Sequence, residues 1–292
     1  MFSAASAIFA LTPRAFSGYD RRMSNARVSL VAFLLPLLAG CGSTQTAYPG
    51  ASAFTAPKPT YDGYLRGLVR FPDGAGGQVI ATWTPSGGAT KAVLYFHAEG
   101  EDLGTLRSTT REIATETGCA VLAVEYPGYG VASGSFSEAA SRRVADAALD
   151  RLSSHYGYTS DRVVVFGRSL GAAVATDLAA RRPVGGLVLV SPFSSLAKTF
   201  KAGLDPLSLS GFDPFDNLSK IGRVVCPLLV AHGDADELIP LTQGRDVFDA
   251  AVAAKDKVFV PLRGMRHNDP LSFASAAAYW DGIRHVAGTP GV

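Results

Sequence analysis

From about residue 64 onward, short apolar runs alternate with longer segments in which apolar residues recur at helical spacing. The apolar runs are continuous and rich in valine, a pattern typical of strands that are buried on both faces. We expect eight strands, at Gly67–Phe71, Gln78–Trp83, Ala92–Phe96, Ala120–Glu125, Arg162–Phe166, Gly186–Val190, Pro227–Ala231 and Lys257–Val260. Such strands predict a sheet in the middle of the fold.

Two of the intervening segments, Asp102–Thr117 and Glu138–His155, show the helical spacing clearly. Their apolar sides are formed by Leu103, Leu106, Ile113 and Ala114 in the first and by Ala145, Ala148, Leu149 and Leu152 in the second. Buried strands separated by helices predict an α/β fold with a mostly parallel sheet covered on both faces. The first two strands, joined by a glycine-rich turn, are expected instead to form an antiparallel hairpin.

The composition narrows the class of protein. The chain has 292 residues, of which 47% are hydrophobic, so it is long and apolar enough to bury a core and is not a disordered chain. Its net charge of +2 comes from residues 1–40, and the remainder has no basic stripe, so we expect no nucleic-acid partner. The three cysteines lack paired spacing, which excludes a disulfide scaffold, and no Cys/His cluster has zinc-ligand spacing.

The most informative motif is G-x-S-x-G at residues 167–171, directly after the fifth predicted strand and before an alanine-rich helical segment. A chain that turns sharply from strand to helix needs glycines where side chains would collide, so Gly167 and Gly171 would place Ser169 above the sheet. The backbone N–H of Leu170 would point into the same space from the start of the helix. This arrangement is typical of a nucleophilic serine.

A serine hydroxyl is a weak nucleophile at neutral pH and needs a base that is itself oriented by an acid. Asp234 and Asp236 follow the seventh predicted strand, and His267 follows the eighth. Since ligands bind beyond the carboxyl ends of parallel strands, these side chains are expected to meet Ser169 at that edge. Either aspartate can serve as the acid on this reasoning alone.

At this point the chain resembles the α/β-hydrolase superfamily over about residues 64–287. Within it, the chain is similar to the BEM46-like group of serine hydrolases, which includes the ABHD13-type and ABHD17-type hydrolases. The matching segments are Y-P-G-Y-G at 126–130, S-P-F-S-S at 191–195, H-G-x-x-D-x-x-I-P at 232–240 and G-x-x-H-N-D at 264–269. The resemblance implies an α/β-hydrolase fold of about eight strands flanked by helices, with a short cap insertion over about 194–224.

The resemblance also implies the site residues. It gives a triad of Ser169, His267 and Asp236, with Asp236 rather than Asp234 as the acid, and it requires no metal or organic cofactor. The second oxyanion-binding N–H would come from Glu99, but this chain has His-Ala-Glu at 97–99 where the group usually has His-Gly-Asn. A carboxylate facing a developing oxyanion opposes catalysis, so either Glu99 points to solvent or turnover is impaired.

The expected activity is hydrolysis of small-molecule carboxylesters or thioesters. Two alternatives stay open: a catalytically impaired α/β-hydrolase fold that serves as a binding module, and a peptidase or amidase of the same fold. Arg168 can brace the serine turn or meet an anionic substrate. His97 and His232 are expected to brace loops, and a disulfide between Cys119 and Cys226 is left open.

The N-terminal region has the pattern of a targeting segment. Residues 28–40 form an apolar run of thirteen residues, which is shorter than the roughly 20 needed to span a bilayer but suits the centre of a secretory signal. The Leu-Ala-Gly-Cys sequence at 38–41 resembles the lipobox of bacterial lipoproteins, and this resemblance implies that Cys41 is acylated and becomes the mature N-terminus. An ordinary signal peptide, a buried core helix and a transit peptide are the alternatives.

The expected organisation is a signal peptide at 1–40, a lipid-anchored flexible tether at 41–63 and the hydrolase domain at 64–287. We expect translation to start at Met23, which gives a signal peptide of ordinary length, so that residues 1–22 are not part of the protein as it is made. The membrane is then a partner through lipidated Cys41, in a bacterial cell envelope. Gly42 lacks the aspartate that favours inner-membrane retention, so we expect the outer membrane, facing the periplasm.

Overall fold

The structure is a computed structural model that describes residues 56–199, 215–270 and 276–289. The predicted signal peptide, Cys41 and most of the predicted tether therefore lie outside the described residues, as does the middle of the predicted cap. In the part of the chain that is described, no helix is long and apolar enough to cross a membrane.

The described residues form a central eight-stranded sheet with the strand order β1-β2-β4-β3-β5-β6-β7-β8. The strands are β1 Leu68–Pro72, β2 Gln78–Thr84, β3 Ala92–Phe96, β4 Ala120–Val124, β5 Val163–Arg168, β6 Gly186–Val190, β7 Leu228–Gly233 and β8 Lys257–Leu262. β2 is antiparallel to both of its neighbours, and the other pairs are parallel. The predicted hairpin and the predicted α/β-hydrolase architecture are confirmed.

Helices flank the sheet: α1 Arg107–Thr117, α2 Glu138–Ser154, α3 Leu170–Arg181, α4 Leu196–Thr199, α5 Leu218–Ile221, α6 Leu241–Ala250 and α7 Ala276–Ala287. The prediction that the first helix begins at residue 102 is wrong. Asp102 accepts a hydrogen bond from the Thr105 N–H at 3.1 Å, and the Thr105 hydroxyl donates to the Asp102 carbonyl. This local turn competes with the helix and delays its start to Arg107.

The continuous apolar strands are explained by burial on both faces. Every residue of β3 is buried, with Leu94 in one apolar cluster and Val93 and Tyr95 in the other. The first cluster includes residues of α2 and α3, and the second includes residues of α1 and α7. Since successive strand residues face opposite sides, each side of the sheet gets its own core.

The folded part begins earlier than the sequence predicts. Tyr61 falls in the stretch expected to be a flexible tether, 41–63, yet its side chain is buried in the same apolar cluster as Leu103 and Leu106. An aromatic ring that packs against leucines and a buried polar partner is ordered by those contacts. The boundary at residue 64 is therefore a few residues too late.

Candidate active site

Ser169 lies in a sharp turn between β5 and α3, at the carboxyl edge of the sheet. Its φ and ψ are 52° and −115°, a strained conformation for a residue with a side chain. A Cβ at Gly167 would collide with the backbone of Gly171, and a Cβ at Gly171 would collide with the carbonyl of Phe96. The two glycines are therefore required for the close packing of this elbow against β3.

His267 and Asp236 reach Ser169 from the loops after β8 and β7. The Ser169 Oγ lies 2.9 Å from the His267 Nε2, and the His267 Nδ1 lies 2.8 Å from an Asp236 carboxylate oxygen. Because a carboxylate only accepts, the His267 Nδ1 carries the proton and its Nε2 is left to accept from the serine hydroxyl. Ser169 and His267 are both buried.

The structure separates the two candidate acids. The second oxygen of Asp236 accepts hydrogen bonds from the Leu238 and Ile239 N–H groups at 3.0 and 2.8 Å. Burial opposes ionisation of Asp236, but hydrogen bonds from His232, His267 and Ile239 outweigh it and hold its pKa well below the ordinary value. Asp234 instead is exposed and accepts from the Gly264 N–H at 2.6 Å.

His232 contacts the same Asp236 carboxylate oxygen as His267 does. Its Nε2 lies 2.9 Å from the Ile239 carbonyl oxygen and 3.4 Å from Asp236. Since both partners are acceptors, this nitrogen carries the proton and donates. His232 therefore braces the acid loop, as the sequence predicts.

Arg168 braces the base loop, the segment after β8 that carries His267. Its guanidinium donates to the His267 carbonyl at 2.8 Å and to the Asp269 carbonyl at 2.9 Å, and it pairs with Glu101 at 3.3 Å. The side chain is only 7% exposed. A planar group with several donors fits two carbonyls and a carboxylate at once, which a lysine cannot reproduce.

The β3–α1 loop, residues 97–106, supplies the candidate for the second oxyanion donor. The Ala98 N–H donates to the Glu101 carboxylate at 2.8 Å, and the His97 carbonyl accepts from the Tyr126 hydroxyl at 2.8 Å. Glu99 is half-buried, so the choice between a solvent-facing Glu99 and impaired turnover stays open. Burial and then the Glu99 carboxylate raise the pKa of the Tyr129 phenol.

A buried hydrogen-bonded pair, His97 and Glu125, supports this loop, and the pairing was not singled out from the sequence. The His97 Nε2 lies 3.0 Å from the Glu125 carboxylate, and both side chains are fully buried. The signal in the sequence is a polar residue directly after each of two wholly apolar strands, β3 and β4. Because β3 and β4 are parallel neighbours, residues that follow them lie side by side at the same edge.

Cavity volume alone does not locate this site. A surface groove of about 500 Å³ lies between the β1–β2 hairpin and α2 and is lined by residues that include Phe71, Asp73, Arg143 and Arg151. Its lining includes none of Ser169, Asp236 and His267. Among the described residues, no three His, Cys, Asp or Glu side chains are grouped as a metal site, and Cys119 and Cys226 are free thiols.

Comparisons with known proteins agree with this fold. Residues 87–209 match the family described as serine aminopeptidase, S33. The chain is 32% identical over 184 residues to alpha/beta hydrolase domain-containing protein 17C of Xenopus tropicalis, covering 63% of this chain and 58% of that protein. It is 31% identical over 177 residues to the aho-3 protein of Caenorhabditis elegans, covering 61% and 52%. The chain thus spans just over half the length of these relatives.

Solved structures show the same architecture. An esterase of Pyrococcus furiosus superposes with a TM-score of 0.65 at 18% identity, covering 80% of this chain and 98% of the esterase. At that identity the likeness concerns the fold. Together with the family match and the relatives, it shows that the chain has an α/β-hydrolase fold.

Proposed function

We propose that this protein is a serine hydrolase that cleaves carboxylester or thioester bonds. The observation that carries the proposal is the continuous chain of short contacts from the Ser169 hydroxyl through His267 to Asp236, on a strained elbow between two glycines. A base and an acid within hydrogen-bond reach of a strained serine are what activation of a hydroxyl requires. The fold supports the proposal, since it puts all three at one edge of one sheet.

In the first half-reaction, the Ser169 oxygen attacks the acyl carbonyl while the His267 Nε2 takes the hydroxyl proton. The negative charge that develops on the carbonyl oxygen is stabilised by the N–H groups of Leu170 and Glu99. Asp236 keeps the proton on Nδ1 and stabilises the imidazolium. When the tetrahedral intermediate collapses, the proton passes from His267 to the leaving alcohol or thiol, and the acyl group stays on Ser169.

In the second half-reaction, a water replaces the leaving group. His267 takes a proton from the water, whose oxygen attacks the acyl carbon and forms a second tetrahedral intermediate. The bond to the serine oxygen then breaks, and His267 returns the proton to Ser169. The products are the carboxylic acid and the alcohol or thiol, and the cycle needs no external cofactor.

Hydrolysis of a graded set of chromogenic esters and thioesters tests the proposal. We expect wild-type turnover and a loss of about 10⁴-fold or more in Ser169→Ala, because the nucleophile is removed. Ser153→Ala is the matched control, since Ser153 is exposed on α2 and outside the site. Equal rates in Ser169→Ala and Ser153→Ala would argue against Ser169 as the nucleophile.

Amide cleavage is the second candidate chemistry, because the matching family is described as a serine aminopeptidase. Aminoacyl p-nitroanilides in the same assay separate the two. We expect esters and thioesters to be turned over faster, because nothing in the sequence resembles a clamp for a peptide end. Faster cleavage of the anilides would reassign the substrate class.

A binding module is the candidate from another class, and the half-buried Glu99 favours it. Two unit charges about 4 Å apart interact by about 4 kcal/mol at an effective dielectric constant of about 20, which corresponds to roughly a thousandfold in rate. If the Glu99 carboxylate acts on the oxyanion, Glu99→Asn increases turnover. Unchanged turnover in Glu99→Asn would remove the electrostatic objection to catalysis.

We further propose that a lipid on Cys41 anchors the protein in a bacterial cell envelope, at the outer membrane and facing the periplasm. The support is the apolar run at 28–40 followed by the cysteine. In Cys41→Ser we expect soluble or unprocessed protein, whereas the wild type fractionates with membranes. Membrane attachment that survives Cys41→Ser would refute lipidation at this residue.

A further inference from the structure

Thr60 and Tyr61 precede the sheet, and Thr60 is hydrogen-bonded to the β3–α1 loop. The Thr60 N–H donates to one Asp102 carboxylate oxygen at 2.6 Å, and the Thr60 hydroxyl donates to the other at 2.5 Å. The Asp102 side chain is buried and also accepts from the Thr105 N–H. A buried carboxylate that receives several donors fixes the backbone on which it sits.

Tyr61 adds a second attachment, through Glu125. Its hydroxyl donates to one Glu125 carboxylate oxygen at 2.8 Å, and the Leu103 N–H donates to the same oxygen at 3.1 Å. The other Glu125 oxygen pairs with His97 at 3.0 Å. Glu125 therefore ties Tyr61 to both ends of the segment that contains Glu99.

Two glycines leave room for these contacts. A Cβ at Gly104 would collide with the Thr60 hydroxyl, and a Cβ at Gly130 would collide with the Glu125 carboxylate and the Tyr61 hydroxyl. Gly130 also has a φ of +49°, which a glycine adopts at little cost. The space for the Tyr61–Glu125 hydrogen bond is thus built into the Y-P-G-Y-G motif.

We propose that Thr60 and Tyr61 form a latch, a pair of positioning residues that hold the β3–α1 loop in the geometry its oxyanion donor requires. The latch acts through Asp102 and through the Glu125–His97 pair, and not by contact with substrate. The inference rests on the proposed function, since the loop's role in catalysis is part of that function. Residues that precede the first strand would then help to position the active site.

Hydrogen exchange of the full-length protein tests whether the latch holds the loop. Tyr61→Phe keeps the packed ring and removes one donor, while Tyr64→Phe makes the same change at a side chain that is 90% exposed. We expect several-fold faster amide exchange over residues 97–105 in Tyr61→Phe and wild-type exchange in Tyr64→Phe. Thr60→Val is a second variant of the latch, which keeps the shape and removes the hydroxyl. Exchange rates over 97–105 that match wild type in both latch variants would overturn the proposal.

Steady-state kinetics on a chromogenic ester test the consequence for catalysis. Because the donor acts on the transition state, Tyr61→Phe should lower kcat about tenfold with KM unchanged, and Tyr64→Phe should leave both at wild-type values. An equal kcat in Tyr61→Phe and Tyr64→Phe would contradict the latch proposal and would leave the hydrolase proposal intact. If the wild-type protein hydrolysed no ester, the hydrolase proposal would be contradicted. Amide hydrogen exchange over residues 97–105 would still show whether the latch holds the loop.

Discussion

The elbow after β5 and the β3–α1 loop lie at the same edge of the sheet, but different forces shape them. The elbow is fixed by backbone packing, because Gly167 lets β5 and α3 approach closely and Gly171 lets the elbow approach the backbone of β3. The loop is held by side chains distant along the chain, chiefly Glu125 and the latch residues Thr60 and Tyr61. The elbow thus depends on close backbone contacts, and the loop depends on hydrogen bonds from distant side chains.

Removing His267, the base that contacts the elbow serine, should cause the largest loss of activity. In His267→Gln we expect a loss of about 10⁴-fold in kcat/KM, because no group then accepts the proton from Ser169. His155→Gln is the control, since His155 is exposed at the end of α2. Ester hydrolysis measures both. Comparable rates in the two variants would show that His267 is not the base.

Adding a methyl group at Gly171 of the elbow should cause the second largest loss of activity. In Gly171→Ala the added methyl displaces the backbone of β3 or the elbow, and a shift of about 1 Å at the reacting groups costs about 10²-fold in rate. Ala is otherwise favoured in a helix over Gly by about 1 kcal/mol, which is too small to offset such a collision. Gly87→Ala is the control, because a Cβ there meets nothing. Wild-type kcat in Gly171→Ala would mean that the local packing does not set the geometry.

Removing Arg168, which links the elbow to the base loop, should cause a smaller loss of activity. In Arg168→Gln the carbonyls of His267 and Asp269 lose a shared donor, so we expect kcat to fall about tenfold with little change in KM. Arg168→Lys should not restore the rate, since an ammonium lacks the planar fork. Arg162→Gln, at an exposed position before β5, controls for loss of charge. A full rate in Arg168→Lys would reduce the role of Arg168 to its charge.

The smallest effect is expected in the pH dependence of stability on the loop side. Burial lowers the pKa of His97, but the hydrogen bond and charge of Glu125 outweigh it, so the pKa lies above the ordinary value of 6.5. A raised pKa gives stability that is complete below about 6.5 and is lost as pH rises through the folded value. Urea unfolding of wild type and Glu125→Gln across this range measures it. The same pH slope in both proteins would exclude the pair as its source.

The two regions also differ in how far the sequence predicts them. The G-x-S-x-G motif predicts the turn at Ser169 between β5 and α3, because the glycines that such a turn needs are its neighbours in the sequence. The sequence favours Asp236 over Asp234 only through the resemblance to the BEM46-like group. The N–H groups that donate to the Asp236 carboxylate come together only when the loop is folded, so a sequence pattern does not reveal them.

The loop's supports are beyond local sequence reasoning. Tyr61 meets Glu125 across 64 positions of the chain, and it lies in a segment whose composition predicts a tether. The start of α1 is missed for a related reason, because Asp102 forms a turn with Thr105 and a bond to Thr60 instead of beginning a helix. When the fold brings together polar residues that are far apart along the chain, their pairing leaves no periodic pattern in the sequence.

The central claim is that Ser169 is a nucleophile activated by His267. Incubation of the full-length protein with a fluorophosphonate, followed by peptide mass spectrometry, tests it directly, because such reagents react covalently with an activated serine. We predict one adduct, on Ser169, in the wild type and its loss in His267→Gln. A correctly folded wild type that gives no adduct on Ser169, or an equal yield in His267→Gln, would contradict the account.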